Sequence, residues 1–120
     1  IGQALYSVIE STDPATRRKI ALAIALIHSP KVLILDEPAQ YLDFVGQKQV
    51  ERLITDQTNE GSSVVLITDN LELAERLADE IIILDQGQIL LAGTLQRLIN
   101  QTKSRAHSLD GVMKTIFGYA

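Results

Sequence analysis

Val32-Leu-Ile-Leu-Asp36-Glu37-Pro38 is the stretch that decides how this chain folds. Its apolar run has no alternation, and continuous apolar strands belong in parallel sheets covered on both faces. The run ends in two adjacent carboxylates. The carboxyl edge of such a sheet is where α/β folds place their ligands. Two neighbouring charges there are costly unless a cation or a substrate uses them. The competing reading is an Asp-Glu pair in a loop that merely faces solvent, and these seven residues alone leave both open.

Working back from the strand, Asp13-Pro14 reads as a helix start, with an Asp N-cap and a proline at the first helical position, where its missing N–H is not needed. The helix runs through Arg17-Arg18-Lys19, read as a solvated face, into Ile20-Ala-Leu-Ala-Ile-Ala-Leu-Ile27 and stops near Ser29-Pro30. Its second half is apolar all round, which predicts burial. Residues Ile1 to Thr12 carry only a short helical pattern at Ala4, Leu5, Val8 and Ile9.

Working forward, residues around Phe44 to Glu60 read as an amphipathic helix with Val45, Val50, Leu53 and Ile54 as its buried stripe, ended by Gly61. A second strand, Val64-Val-Leu-Ile-Thr68, a helix from about Leu71 to Ala78 and a third strand, Ile81-Ile-Ile-Leu84, follow. Strand–helix–strand–helix–strand order predicts a parallel sheet with right-handed crossovers. Gln86-Gly87 turns the chain into a hairpin strand at Gln88-Ile-Leu-Leu-Ala92. A helix near Thr94 to Asn100, a polar linker from Gln101 to His107 and a short helix to Phe117 complete the chain.

The composition bounds the function. The 120 residues are 46% hydrophobic and 22% charged, as in ordinary globular protein. There is no cysteine, so disulfides and thiolate metal sites are excluded. A net charge of −4 argues against a nucleic-acid partner, which calls for a basic face. No apolar run approaches the roughly 20 residues that span a bilayer. His28, at a helix end, and His107, in the linker, have no spaced ligand partner and read as structural or solvated residues.

Ala21-Leu-Ala-Ile-Ala-Leu-Ile-His-Ser-Pro-Lys-Val-Leu-Ile-Leu-Asp-Glu-Pro38 resembles the ABC ATPase stretch from the signature helix through the Walker B strand. Leu42-Asp43 sits where that family's D-loop ends. Val64 to Asp79 resembles its switch-histidine region, and Ile81 to Ile89 its closing strand and hairpin. The likeness runs in register from about Arg17 to Thr94, and the tail from Ser108 to Gly118 resembles the end of exporter-type ATPase subunits. It implies a P-loop NTPase-like α/β fold, a parallel sheet with flanking helices, with residues 1–100 as the C-terminal part of the ATPase domain and 101–120 as linker and terminal helix. The N-terminal half, with its phosphate-binding P-loop, would lie before Ile1. It further implies ATP and Mg²⁺ as cofactors in a complete domain, with Asp36 on Mg²⁺ and Glu37 orienting or deprotonating the attacking water. The implied partners are a transmembrane transporter subunit and a second ABC ATPase domain, at the cytoplasmic face of a membrane.

Departures from the pattern are specific. No Gly-rich loop followed by Lys-Ser/Thr occurs in the sequence, so nothing in it cradles β- and γ-phosphates. The signature Leu-Ser-Gly-Gly-Gln aligns with Thr12-Asp13-Pro14-Ala15-Thr16, where Asp13 puts a negative charge in a phosphate-binding position and Pro14 removes an amide. Helix capping is the favoured role for Asp13. The switch histidine aligns with Asp69, which at pH 7 accepts hydrogen bonds but does not donate them. Ala39 and Tyr41 replace the usual small hydroxyl and glycine of the D-loop, while Asp43 remains; Tyr41 and Phe44 are read as packing residues near a dimer or membrane-domain surface. The expectation is therefore a degenerate or partial ATP-binding component of a transporter. A non-catalytic structural subunit is the alternative, and a chromosome-associated ATPase head a third, disfavoured by the acidic charge. A sheet without its P-loop strand is expected to expose an edge and apolar faces.

Overall fold

The computed structural model describes residues 11–119, and the chain divides after Ile67 into two compact units. The helical pattern read at Ala4 to Ile9 lies outside the described residues.

The first unit holds α1 (Pro14–Leu26), β1 (Val32–Asp36), α2 (Phe44–Asn59) and β2 (Ser63–Ile67). β1 and β2 pair in parallel, from Val32 opposite Ser63 to Asp36 opposite Ile67, with α2 as the crossover. A bond from Ser63 N to the Lys31 carbonyl, at 2.8 Å, starts the ladder. α2 ends as expected: Gly61 has φ +95° and its N–H bonds the Thr58 carbonyl. Leu22, Leu33, Leu35, Leu42, Val50 and Ile54 are buried.

Three expectations are corrected here, the first in favour of the exposed apolar face also expected of this sheet. The sheet is covered on one face: Leu33 and Leu35 are buried, whereas Val32, Ile34, Val65 and Ile67 are 60%, 66%, 49% and 50% exposed. The strand period of two puts that second set on the opposite face, which is left exposed. α1 buries only Leu22, and Ile24 and Ile27 face outward, because a helix apolar all round needs partners on several sides. The α2 stripe is Gly46, Val50 and Ile54, not Val45, which is 62% exposed. Counting back four residues from Val50 reaches Gly46, which fits tightly: a Cβ there would lie 3.0 Å from the Leu42 Cβ.

The second unit holds α3 (Leu71–Leu77), β3 (Ile81–Asp85), β4 (Gln88–Gly93), α4 (Leu95–Thr102) and α5 (Leu109–Phe117). β3 pairs antiparallel with β4 rather than extending the β1–β2 ladder. The two-residue turn brings β4 onto β3 locally; Gln86 and Gly87 both have positive φ, +47° and +77°, as a tight hairpin turn requires. A register shift between Ile83 and Leu84 leaves Leu90 as the extra residue of a bulge.

Ile81, Ile83, Leu98, Ile99, Leu109 and Val112 form the core of this unit, flanked by Leu71, Ala74, Leu91, Leu95, Met113 and Ile116. α5 is an integral part of it. Val112 is fully buried, and a Cβ on Gly111 would meet the Ala106 Cβ at 2.6 Å and the Ala106 carbonyl at 2.8 Å. Glu75 on α3 accepts from the Leu109 N–H at 2.8 Å, tying the start of α5 to α3.

Candidate functional site

The strand-end carboxylates lie where the sequence places them. Asp36 closes β1 and is exposed; Glu37 follows, half-buried. The Glu37 N–H donates to the Ile67 carbonyl at 2.8 Å, and the Gln40 N–H to the Glu37 carbonyl at 3.1 Å. Glu37 and Tyr41 both take the left-handed conformation, with φ +46° and +66°. Side chains with a Cβ are disfavoured there, and such outliers concentrate at functional sites. Pro38, between them, is fully buried and anchors the segment.

Asp43 caps α2. Its Oδ1 accepts from the Gly46 N–H at 2.8 Å, so this carboxylate has a structural duty. Tyr41 and Phe44 are 66% and 73% exposed, and the Lys48 ammonium sits 5.7 Å from the Phe44 ring centre.

Asp13 caps α1, and both of its oxygens are engaged by one residue. Thr16 donates from its N–H to Oδ1 at 3.1 Å and from its hydroxyl to Oδ2 at 2.6 Å. These bonds hold the Asp13 carboxyl below its ordinary value, the Thr16 hydroxyl contributing most. The end of α1 is thus occupied by the chain's own anion, and Pro14 offers no amide.

Arg18 was misread from the sequence. It is half-buried, donating from Nη1 to the Asp36 carbonyl and from Nη2 to the Gln40 side-chain oxygen, each at 3.3 Å. A charge run on a helix gives no sequence signal of which member turns inward. The structure therefore brings Asp36, Glu37, Gln40 and Arg18 together. Asp69, exposed, belongs to the second unit, next to Asn70, whose side chain caps α3 by accepting from the Leu73 N–H at 2.9 Å. The groove between α3 and α5, lined by Leu71, Glu72, Glu75, Arg76 and Asp110, contains none of the residues singled out by sequence.

Among the described residues no group of three or more His, Cys, Asp or Glu is placed to hold a metal. Mg²⁺ is held by one or two carboxylates together with substrate phosphates and waters. Asp36 fits as one such ligand.

Comparison with known proteins agrees with this fold. No family profile matches the chain. It is 33% identical to an uncharacterized ABC transporter ATP-binding protein of Methanocaldococcus jannaschii, over 80% of this chain and 37% of that protein. It is 36% identical to an energy-coupling factor transporter ATP-binding protein of Methanospirillum hungatei, over 78% of this chain and 26% of that protein. With a daunorubicin resistance ATP-binding protein of Streptomyces coeruleorubidus it shares 40% identity, over 72% and 27%. A solved structure of the ATP-binding subunit of an ABC transporter superposes with a TM-score of 0.82 at 28% identity, covering 88% of this chain and 44% of that one. The resemblance to the ABC transporter ATP-binding domain thus holds in sequence and in fold, over the share of those proteins that the chain spans.

Proposed function

We propose that this chain is the Walker B and switch portion of an ATP-binding component of an ABC transporter, weakened as a motor. One observation carries the reading: a carboxylate pair at the carboxyl end of β1, with Glu37 kept in a conformation its residue type disfavours. A fold-only segment would gain by relieving that strain.

In this reading Asp36 serves as the protein ligand to Mg²⁺ and Glu37 orients or deprotonates the attacking water. The cation would neutralise charge developing on the transferred phosphoryl group. Asp43 stands at the D-loop, capping α2. Asp13 and Asp69 each place a negative charge at a position that receives phosphate in the resembling family, so nucleotide is bound poorly or turned over slowly. The partners are a transmembrane transporter subunit and a second ATPase domain, at the cytoplasmic face of the membrane. Among the described residues no helix is long and apolar enough to cross it. The second reading, a structural subunit that no longer uses ATP, is favoured by the occupied helix end at Asp13.

The test is Mg²⁺-ATP turnover of the assembled complex from the native host, with and without Glu37→Gln. Slow turnover, reduced further by the variant, supports the weakened motor. Turnover of ordinary transporter size abolished by Glu37→Gln overturns the weakening. No turnover, and no thermal shift at ATP of about 100 times an expected Kd, where a competent site gains about 2.7 kcal/mol, selects the structural reading.

A further inference from the structure

The strand-end pair has a cationic neighbour supplied by another element. Arg18 reaches from α1 to two acceptors, the Asp36 carbonyl and the Gln40 side chain. These acceptors bracket Glu37, and the left-handed Tyr41 follows directly. The segment is also tied by the Glu37 N–H to Ile67, the Gln40 N–H to Glu37, the Leu42 N–H to Ala39 and the buried Pro38.

We infer that Arg18 is a positioning residue for the strand-end site: its guanidinium clamps the Asp36 carbonyl and Gln40, and so holds Glu37 in its left-handed conformation beside Asp36. The inference rests on the reading of Asp36 and Glu37 as the working end of an ATP site. A planar guanidinium fits this task because its donors are fixed in a fork that spans two acceptors at once, whereas an ammonium is a single point donor. Strained backbone persists only where its surroundings over-determine it. With Arg18 removed, the Asp36 carbonyl and the Gln40 side-chain oxygen turn to water, and the segment loses these two bonds to the helix that carries the Asp13 cap. Arg18 also stands apart from Arg17 and Lys19, its exposed neighbours on α1.

The experiment uses the full chain, labelled with nitrogen-15, as wild type, Arg18→Lys, Arg18→Ala and Gln40→Ala. Amide exchange and backbone couplings are read at Glu37, Gln40 and Tyr41 and, as a reference, at Leu33 and Leu35. Mn²⁺ alone is then titrated while broadening of the Asp36 and Glu37 amides is followed. In Arg18→Ala, exchange at Gln40 should rise about tenfold, the loss expected for a charge-assisted hydrogen bond, with Leu33 and Leu35 unchanged. Arg18→Lys should fall between. Broadening at Asp36 should need more Mn²⁺ in Arg18→Ala, the opposite of what removing a nearby positive charge does by itself.

A uniform rise in exchange across α1 and β1 would overturn the inference by making Arg18 a general tie. Mn²⁺ binding that tightens in Arg18→Ala would also overturn it, leaving Arg18 as a bystander charge. If Arg18→Ala does not fold, Gln40→Ala decides: a change confined to residues 37–41 supports the clamp, and no change refutes it. Absence of broadening at Asp36 in the wild type, with the segment responding as expected, sinks the ATP-site reading and leaves the positioning of the segment in place.

Discussion

Replacing Tyr41 by glycine should stabilise this protein. Tyr41 has φ +66°, and its side chain is 66% exposed, so the substitution relieves backbone strain while removing little packing. A left-handed residue with a Cβ costs roughly 1–2 kcal/mol. Glycine returns about 0.5–1 kcal/mol of that through the greater freedom of its unfolded chain. The net gain is therefore about 0.5–1 kcal/mol. Tyr41→Ala is the control, since alanine keeps the strain and loses the same ring. Urea unfolding followed by far-UV circular dichroism separates the two. With a slope of about 1–2 kcal/mol per molar, the glycine variant should unfold about 0.5 M later than wild type, and the alanine variant no later. A glycine variant less stable than the alanine variant would refute the reasoning, showing that the freedom of glycine in the unfolded chain outweighs the strain it relieves.

Two further outcomes follow from geometry. Leu98 is fully buried within the core of the second unit, so Leu98→Ala should cost about 3 kcal/mol of unfolding free energy in chemical denaturation; a loss under about 1 kcal/mol would contradict the packing described. Asp13 has a lowered folded-state pKa, so its contribution to α1 is present above the unfolded carboxylate's value and is lost as pH falls through the folded one. A carbon-13 titration of Asp13 should show a midpoint below 3.8 and helicity of α1 falling in that acid range, a dependence that Asp13→Asn removes; a midpoint at or above 3.8 would contradict the double bond from Thr16.

Local signals were legible where the physics is local. Asp13-Pro14 starts α1, Gly61 follows the end of α2, and Gln86-Gly87 closes the hairpin, each because a cap or a positive φ is written into one or two residue types. The strand at Val32–Asp36 and its carboxylate end were equally plain. Partner choice was not. The sequence of Ile81–Leu84 reads as one more buried strand, and only the adjacency of Gln88–Gly93 gives it an antiparallel neighbour. An apolar run also says that a face wants cover without saying whether cover is there, as Ile24, Ile34 and Val65 show. Arg18 lay within a basic triplet whose members differ only in how α1 is rotated over the loop after β1. The strain at Glu37 and Tyr41 had no residue-type signal, since glycine, the usual marker of positive φ, is absent from both positions.

The packing of α5 sets an order of events during synthesis. A two-stranded hairpin is marginal in water by itself, and β3–β4 gains its cover from Leu98 and Ile99 on α4 and from Leu109 and Val112 on α5. Ile81 and Ile83 therefore wait, unprotected, until the chain has been made through Val112 and α5 has folded back, with Glu75 receiving the Leu109 N–H. A nascent chain whose hairpin has left the ribosome while α4 and α5 are still inside the exit tunnel therefore holds that apolar hairpin on display. That interval is where a chaperone would find its target in this protein.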